Sequence, residues 1–390
     1  MKIKISILVI CSLLLISFAA DESKAADSQH NQFHSYLRHG IDKAFNLETA
    51  EANEYIKKAV ELDPENPAGY AYLALLHLFS YEMSLEQNEK DANQGALLLY
   101  AKEAVARAEK RITNNPHDSQ AYFALSLAKI AKIQWAIHQK SYFIVTQESS
   151  NIWEYLEKAK EGNPQNYDAC FLAGLLHYHL HHLPGLIRFI SSAFITAGSR
   201  KKGLLELELA AQKGDLLREL AQAELSSAYL NFEKQPEKAL PLTVELCKRF
   251  PDNYNFLFAM GNILSDLHRS EEAYDIARHI QKNIQAGTAP FIPQLQPRYN
   301  QLMGRIIFNQ KEYERSSEYF NNVLKDTSFY NARTRAWAYV YLGMINDILK
   351  KRPQAQEYYS KALEEEGEGA PKIEAKQYLK IPYAPSANHN

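Results

Sequence analysis

The chain has 390 residues, of which 46% are hydrophobic and 23% are charged, and its formal net charge is −2. This composition is ordinary for a globular protein. A near-neutral charge without a block of Lys and Arg gives no reason to expect a nucleic-acid partner, so we predict none. The length exceeds that of a usual single core, but a repeat array gains length without needing one large core.

The N-terminus has the features of a secretory signal. Two lysines precede an apolar run from Ile5 to Ala20, and Ser23-Lys24-Ala25 then offers small residues at the positions that a signal peptidase recognises. We predict a signal peptide at residues 1–25, cleaved after Ala25, and an exported protein that is periplasmic or associated with the cell envelope. The run is short for a membrane span, so a retained anchor is the weaker alternative.

Two cysteines, Cys170 and Cys247, would remain after cleavage. Both fall on apolar helical faces, where cysteine behaves as a small buried hydrophobe. Two cysteines do not make a disulfide framework. We therefore predict that both thiols are free and buried.

From Phe33 onward the apolar residues recur at helical spacing, and no segment alternates as a strand would. The first predicted helix pair is Phe33–Phe45 followed by Glu48–Leu62, which ends before Pro64 because proline cannot continue a helix.

The next three predicted pairs contain insertions. The second pair has a delayed return helix, from Gly95 to Ile112, after a connecting stretch at 79–94. The third has an insertion near 130–149. The fourth is interrupted before its partner helix at Gly203–Gln212.

The remaining pairs are more regular. The fifth pairs Leu216–Phe232 with Pro236–Phe250, and the sixth spans Tyr254–Ile280 with a turn near 267–270. A proline-rich spacer at 286–297 is predicted to cross the surface as an extended loop. Two further pairs follow, and a short helix near Ile373–Leu379 is predicted to cap the array.

The spacing of small, large and proline positions in these pairs resembles the tetratricopeptide repeat (TPR) family from about residue 33 to 363. The residues that carry this resemblance are Ala52, Ile56, Ala59, Pro64, Gly261, Ala273, Gly304, Phe320, Gly343, Ala355 and Tyr359. The resemblance implies an all-α, right-handed superhelical solenoid of about eight helix pairs, with helical insertions in the N-terminal half. We predict a divergent N-terminal half at 26–200, a more regular C-terminal half at 201–370, and a capping helix with a tail at 371–390.

A second resemblance concerns residues 183–215 alone. Leu183-Pro184 and the segment that leads to Gly203-Leu204 look like an insertion in the outer-membrane and inclusion-body-clearance TPR subfamily. That likeness would imply an adaptor near membranes or lipid.

The first helix of each TPR pair lines the concave face, which is where the family usually binds extended partners. Projecting the repeat onto this chain gives six binding candidates: Phe258, Asn262, Arg298, Arg305, Trp337 and Tyr341. Arg, Asn and aromatic side chains anchor peptides through hydrogen bonds and stacking. Alternatively, Trp337 and Tyr341 pack against the next helix. The family's clamp for a carboxylate tail uses Lys and Asn, but Phe258, Gln301 and Val340 occupy those places, which disfavours that ligand class.

The inner face of the N-terminal half is apolar. Its cavity candidates are Phe123, Leu127, Phe171, Leu175 and Tyr178. One interpretation is that the chain's own insertions cover this face. The alternative is a cavity for a lipid or another apolar ligand, with residues 183–197 as a lid or as an in-plane membrane helix that gives peripheral membrane association.

Neither metal nor catalytic chemistry is indicated. His177 and His181 lie four apart on one predicted helix, but no Cys or paired acid is near them in sequence, so we predict no metal and no cofactor. No recognisable catalytic motif occurs, so we predict that the chain is not an enzyme. The predicted function is a non-catalytic protein–protein interaction scaffold in the cell envelope that binds a protein or peptide. The alternative is a periplasmic carrier of an apolar small molecule or lipid, associated with a transporter.

Overall fold

The structure is a computed structural model that describes residues 28–179, 200–326, 331–367 and 369–385. The predicted signal peptide at 1–25, the 183–197 insertion and His181 lie outside the described residues. Within the described ranges the secondary structure is helical and contains no strand. The predicted all-α fold of successive helix pairs is therefore confirmed for this part of the chain. Two compact units are present, one up to Asn166 and one from Tyr167.

The first unit contains seven helices in its described residues. They are α1 (28–45), α2 (Thr49–Leu62), α3 (Pro67–Met83), α4 (Gln87–Asn114), α5 (Ser119–His138), α6 (Tyr142–Ser149) and α7 (Ile152–Glu161).

The second unit contains eleven α-helices in its described residues. They are α8 (Tyr167–His179), α9 (Arg200–Lys213), α10 (Arg218–Ala228), α11 (Pro236–Arg249), α12 (Tyr254–Asp266), α13 (Ser270–Ala286), α14 (Gln296–Asn309), α15 (Tyr313–Lys325), α16 (Ala332–Ile348), α17 (Arg352–Glu364) and α18 (Ala370–Lys380). A π-helical turn, Tyr229–Glu233, extends α10.

Side-chain caps fix where several of these helices begin. The side-chain oxygen of Asn253 accepts from the Asn255 N–H at the start of α12, and that of Asn331 accepts from the Thr334 N–H at the start of α16. Such caps satisfy N–H groups that have no partner inside the helix. They also set which side chains of α12 and α16 face the neighbouring first helices.

The insertions of the first unit are helical, as predicted, but the return helix of the second pair begins earlier than predicted. The stretch at 79–94 is not a long connection, because α3 continues to Met83 and α4 already begins at Gln87. The insertion at 130–149 consists of the end of α5 and the short helix α6. Apolar residues such as Leu78 and Leu97 are buried in these extensions, which gives the added turns their own core.

The spacer at 286–297 is also corrected. It does not cross the surface as an extended loop, because Phe291 and Leu295 are buried and Pro293–Leu295 forms a 3₁₀ turn that leads into α14. The apolar side chains anchor the spacer, and its prolines alone do not indicate where it runs.

The cysteine prediction is right in one respect and wrong in the other. No disulfide joins Cys170 to Cys247, but both are partly exposed rather than fully buried. Burial still raises the pKa of the Cys247 thiol to about 12, so this thiol is protonated at neutral pH.

Candidate binding site

A cavity of about 390 Å³ lies in the second unit. Its walls come chiefly from α10, α12, α14 and α16, which are the first helices of four consecutive pairs. The described residues that line it include three arginines and several amides, but no Asp, Glu, His or Cys. The wall therefore supplies positive charge and hydrogen-bonding groups without an acidic side chain.

Arg298 contributes a partly buried charge to this wall. Its Nη1 donates a 2.7 Å hydrogen bond to Asn255 Oδ1, and its guanidinium lies 4.4 Å from the centre of the Phe258 ring. A guanidinium has several further N–H donors, and no carboxylate lies within ion-pair distance among the described residues. Burial lowers the pKa of Arg298 to about 10, so the group remains charged at neutral pH.

Arg333 brings a second positive charge to the same cavity. The side chain is exposed, and it makes no ion pair or hydrogen bond within the part of the chain that the structure describes. Its charge repels that of Arg298 and contributes to the lowered pKa there. The charge of Glu224 favours the charged form of Arg333, and Glu224 Oε1 lies 2.6 Å from His179 Nε2.

Arg305 differs from these two because a carboxylate neutralises it. Its Nε donates to Asp266 Oδ1 at 2.8 Å, and its Nη2 donates to Asp266 Oδ2, which makes a bidentate pair. Burial opposes the charged form of Arg305, but Asp266 outweighs it, so the pKa of Arg305 lies above its ordinary value. This arginine holds α14 against α12.

Amide side chains occupy the space between the arginines. Asn255, Asn262, Gln301 and Asn331 all line the cavity. The Oδ1 atom of Asn262 is buried and has no hydrogen-bond partner among the described residues. A buried polar atom without a partner is costly, and a ligand that donates a hydrogen bond would satisfy it.

Five of the six predicted binding residues meet at this cavity: Phe258, Asn262, Arg298, Arg305 and Trp337. Tyr341 does not line it. Its ring stacks on Phe320, with centroids 4.8 Å apart and planes inclined by 9°, so it belongs to the core between α15 and α16. Tyr341 thus packs against the preceding helix α15, whereas the packing alternative named the next helix.

Arg333 and Asn255 line the cavity but were not among the predicted residues. Arg333 lies four residues before Trp337, and Asn255 lies three residues before Phe258, so each shares a helix face with a predicted residue. Extending each stripe by one turn toward the N-terminus would have found both.

The five apolar cavity candidates are buried in the described structure. Phe123 and Leu127 lie in the first unit, while Phe171, Leu175 and Tyr178 lie in the second. None of the five lines the cavity of the second unit. The hydroxyl of Tyr178 donates to Glu233 Oε1 at 2.7 Å.

The first unit has a cavity of its own, of about 370 Å³, between α4, α5 and α6, and none of the apolar candidates lines it either. Two lysines in its wall both donate to the buried Glu148: Lys129 Nζ lies 3.0 Å from Oε2, and Lys132 Nζ lies 2.6 Å from Oε1. Burial alone would raise the pKa of Glu148, but the hydrogen bonds from Lys132 and Lys129 outweigh it and hold that pKa below its ordinary value.

The one described histidine of the predicted pair, His177, has a carboxylate partner. Its Nδ1 lies 2.5 Å from Glu206 Oε2. No group of three or more metal-ligating side chains occurs in the described ranges. In those same ranges, no helix combines the length and the apolar character needed to cross a membrane.

The sequence matches no protein-family model and no curated protein. Among solved structures, it is similar to a thermophilic TPR protein of Thermus thermophilus (17% identity, 60% of this chain and 98% of that chain, TM-score 0.36). A TPR protein of Parabacteroides merdae is 14% identical over 79% of this chain and 99% of that chain, with a TM-score of 0.32. Human IFIT1, solved as a dimer with m7Gppp-AAAA, is 14% identical over 90% of this chain and 85% of that chain, with a TM-score of 0.42.

Two of these three structures are of TPR proteins, the repeat type that the sequence resembles. At such identities and scores, the likenesses carry no information about what this chain binds. The cavity therefore has to be interpreted from its own residues, and the chain is a helical-repeat protein that resembles the TPR family.

Proposed function

We propose that the chain is a non-catalytic binding protein that takes a segment of a partner protein into the cavity of its second unit. The observation that carries this proposal is the convergence of Arg298, Arg333 and a row of amides on the first helices of successive pairs, with no acidic residue in the wall. Charges that lack an internal partner favour a ligand that supplies one.

The residue types in the wall also support binding over catalysis. General acid–base catalysis at neutral pH mostly uses His, Asp, Glu or Cys side chains, and none of these lines the described cavity. Ser226, a hydroxyl in the wall, is hydrogen-bonded to Thr243 at 2.6 Å and has no base beside it in the lining. Phe258 and Trp337 also line the cavity, but both side chains are buried, so the exposed binding groups of the wall are polar.

The proposal includes export to the periplasm or cell envelope. Its support is the signal-like sequence of residues 1–25. N-terminal sequencing of the protein isolated from its source cells tests this part. A mature chain that begins at Ala26 would support export with cleavage, and a chain that begins at Met1 would contradict it.

Site-specific photo-cross-linking in the source cells tests the binding proposal. A photoreactive residue in place of the half-exposed Ala259 would sit in the cavity wall, and one in place of Glu318 would sit on an exposed part of α15. We expect a discrete protein adduct from position 259 and none from position 318. The proposal would be wrong if neither position, or both equally, gave protein adducts. An adduct of lipid mass at position 259 would favour the carrier function.

A further inference from the structure

The charges of the second-unit cavity are unbalanced. Arg305 has its carboxylate partner in Asp266, but Arg298 and Arg333 have none within ion-pair distance among the described residues. The charge of the exposed Arg333 opposes the charged form of the partly buried Arg298. A ligand with two negative charges would remove this repulsion.

The cavity also needs a hydrogen-bond donor. Asn262 Oδ1 is a buried acceptor without a partner in the described structure. A phosphate or sulfate dianion offers acceptors and few or no donors, whereas a peptide offers backbone N–H groups together with any acidic side chains. The amides of Gln301 and Asn331 can likewise serve as donor or acceptor toward an extended backbone.

We propose that the cavity recognises an internal acidic segment of the partner, in which two neighbouring side-chain carboxylates bind Arg298 and Arg333 and a backbone N–H donates to Asn262. This inference rests on the proposed function, because it specifies the chemistry of the segment that enters the cavity. A guanidinium binds a carboxylate through two parallel hydrogen bonds, so each arginine can hold one carboxylate. Phe258 and Trp337 lie in the same wall, but both side chains are buried, so the proposed contacts to the segment are the polar ones.

The test uses hexaglutamate capped at both ends, so that side chains are the only source of carboxylates. The chain is labelled with 5-fluorotryptophan, and the Trp337 resonance is assigned from a Trp337→Phe sample. Trp135 and Trp153 lie in the first unit, so the Trp337 signal reports on the second unit alone. We expect a saturable shift of the Trp337 resonance with hexaglutamate and none with capped hexaglutamine.

Matched variants locate the contact. Arg298→Gln and Arg333→Gln should each weaken hexaglutamate binding about tenfold or more, because each loses a charge-assisted pair. Neither substitution leaves an unpaired carboxylate in the described structure, so both variants should fold. Arg315→Gln, on the exposed surface of α15, should bind as the unchanged chain does.

Three outcomes would overturn the inference. Hexaglutamine could bind equally well, the arginine variants could retain full affinity, or inorganic phosphate or a single-stranded oligonucleotide could bind more tightly than hexaglutamate. These outcomes differ from a failure of the proposed function. If the position-259 adduct persists in Arg298→Gln and Arg333→Gln cells, the partner binds without this pairing and the inference alone is wrong. If no protein adduct forms at all, the proposed function itself is wrong.

Discussion

The two cavities have similar volumes, about 370 and 390 Å³, but they differ in whether a carboxylate of the chain neutralises the positive charges in the wall. In the first unit, Lys129 and Lys132 converge on the single buried carboxylate of Glu148. In the second unit, Arg298 and Arg333 line one cavity with no carboxylate within ion-pair distance in the described ranges. The first arrangement uses its charges to hold α5 and α6 together, whereas the second leaves them available to a ligand.

Helix α14 contains the same contrast within two turns. Arg305 and Arg298 are seven residues apart and lie along one wall. Arg305 is held by the carboxylate of Asp266, whereas Arg298 contacts the neutral amide of Asn255 and the ring of Phe258. Residue type and helix face are thus not enough to assign a role. The proposed binding role of Arg298 rests on this difference, since a carboxylate of the same chain binds Arg305 and none in the described ranges binds Arg298.

The largest expected effect on stability comes from breaking the Arg305–Asp266 ion pair of the second unit. Arg305→Met would leave Asp266 without its bidentate partner, and we expect the free energy of unfolding of the second unit to fall by about 3 kcal/mol. Urea denaturation followed through the Trp337 fluorotryptophan signal measures it. Arg298→Met is the matched control on the same helix. Equal losses in the two variants would contradict the distinction between them.

The next effect belongs to the first unit. Glu148→Gln would leave two lysines without their shared carboxylate, and we expect a loss of about 2 kcal/mol, because Lys132 is partly exposed and regains some hydration. The fluorotryptophan signals of Trp135 and Trp153 report on this unit. Glu109→Gln removes the same charge from an exposed position in the same cavity wall and should change stability little. A similar loss in both variants would show that the ion pairs are not responsible.

Low pH should weaken the same two Lys–Glu148 ion pairs. The stability lost in this way should not exceed the loss caused by Glu148→Gln. The pKa of Glu148 is depressed in the folded state, because the hydrogen bonds from Lys132 and Lys129 outweigh burial. Its contribution to stability is therefore fully present above the unfolded pKa, near 4.5, and is lost as the pH falls through the folded pKa. Urea midpoints of the first unit, measured from pH 7 downward, should fall less steeply in Glu148→Gln. Parallel curves would contradict the assignment.

The smallest effect on stability is expected where the ligand site is proposed. Arg298→Met removes a partly desolvated charge that has no carboxylate partner in the described ranges, so the second unit should keep its stability or gain up to about 1 kcal/mol. Thermal and urea unfolding of the free protein measure this. A loss above about 1 kcal/mol would mean that the hydrogen bond to Asn255 and the contact with Phe258 make Arg298 structural.

Much of the fold, and part of the cavity wall, can be predicted from the sequence. Helical spacing and proline stops predict the helix pairs, because burial of an apolar stripe is a local, periodic requirement. The same periodicity predicts that Phe258, Arg298 and Trp337 face inward. Tyr341 is the exception, since a helix stripe drifts around the axis and one further turn carries it from the cavity to Phe320.

The ion pairs between side chains could not be predicted in the same way. Arg305 and Asp266 are 39 residues apart in sequence, and their bidentate contact depends on how α14 lies against α12. The sequence likewise gives no sign that Phe291 turns the spacer inward. Such contacts depend on how whole helices pack against each other. The residues next to each partner in sequence say little about that packing.

Gly304 adds a consequence for the width of the cavity. A methyl group at this position would lie 2.8 Å from the Phe320 ring, so α14 rests on α15 at the closest spacing that a residue without a side chain allows. A different side of α14 carries Arg298 into the cavity. A larger residue at 304 would have to displace Phe320 or move α14 away from α15, and the second of these would shift the wall that carries Arg298.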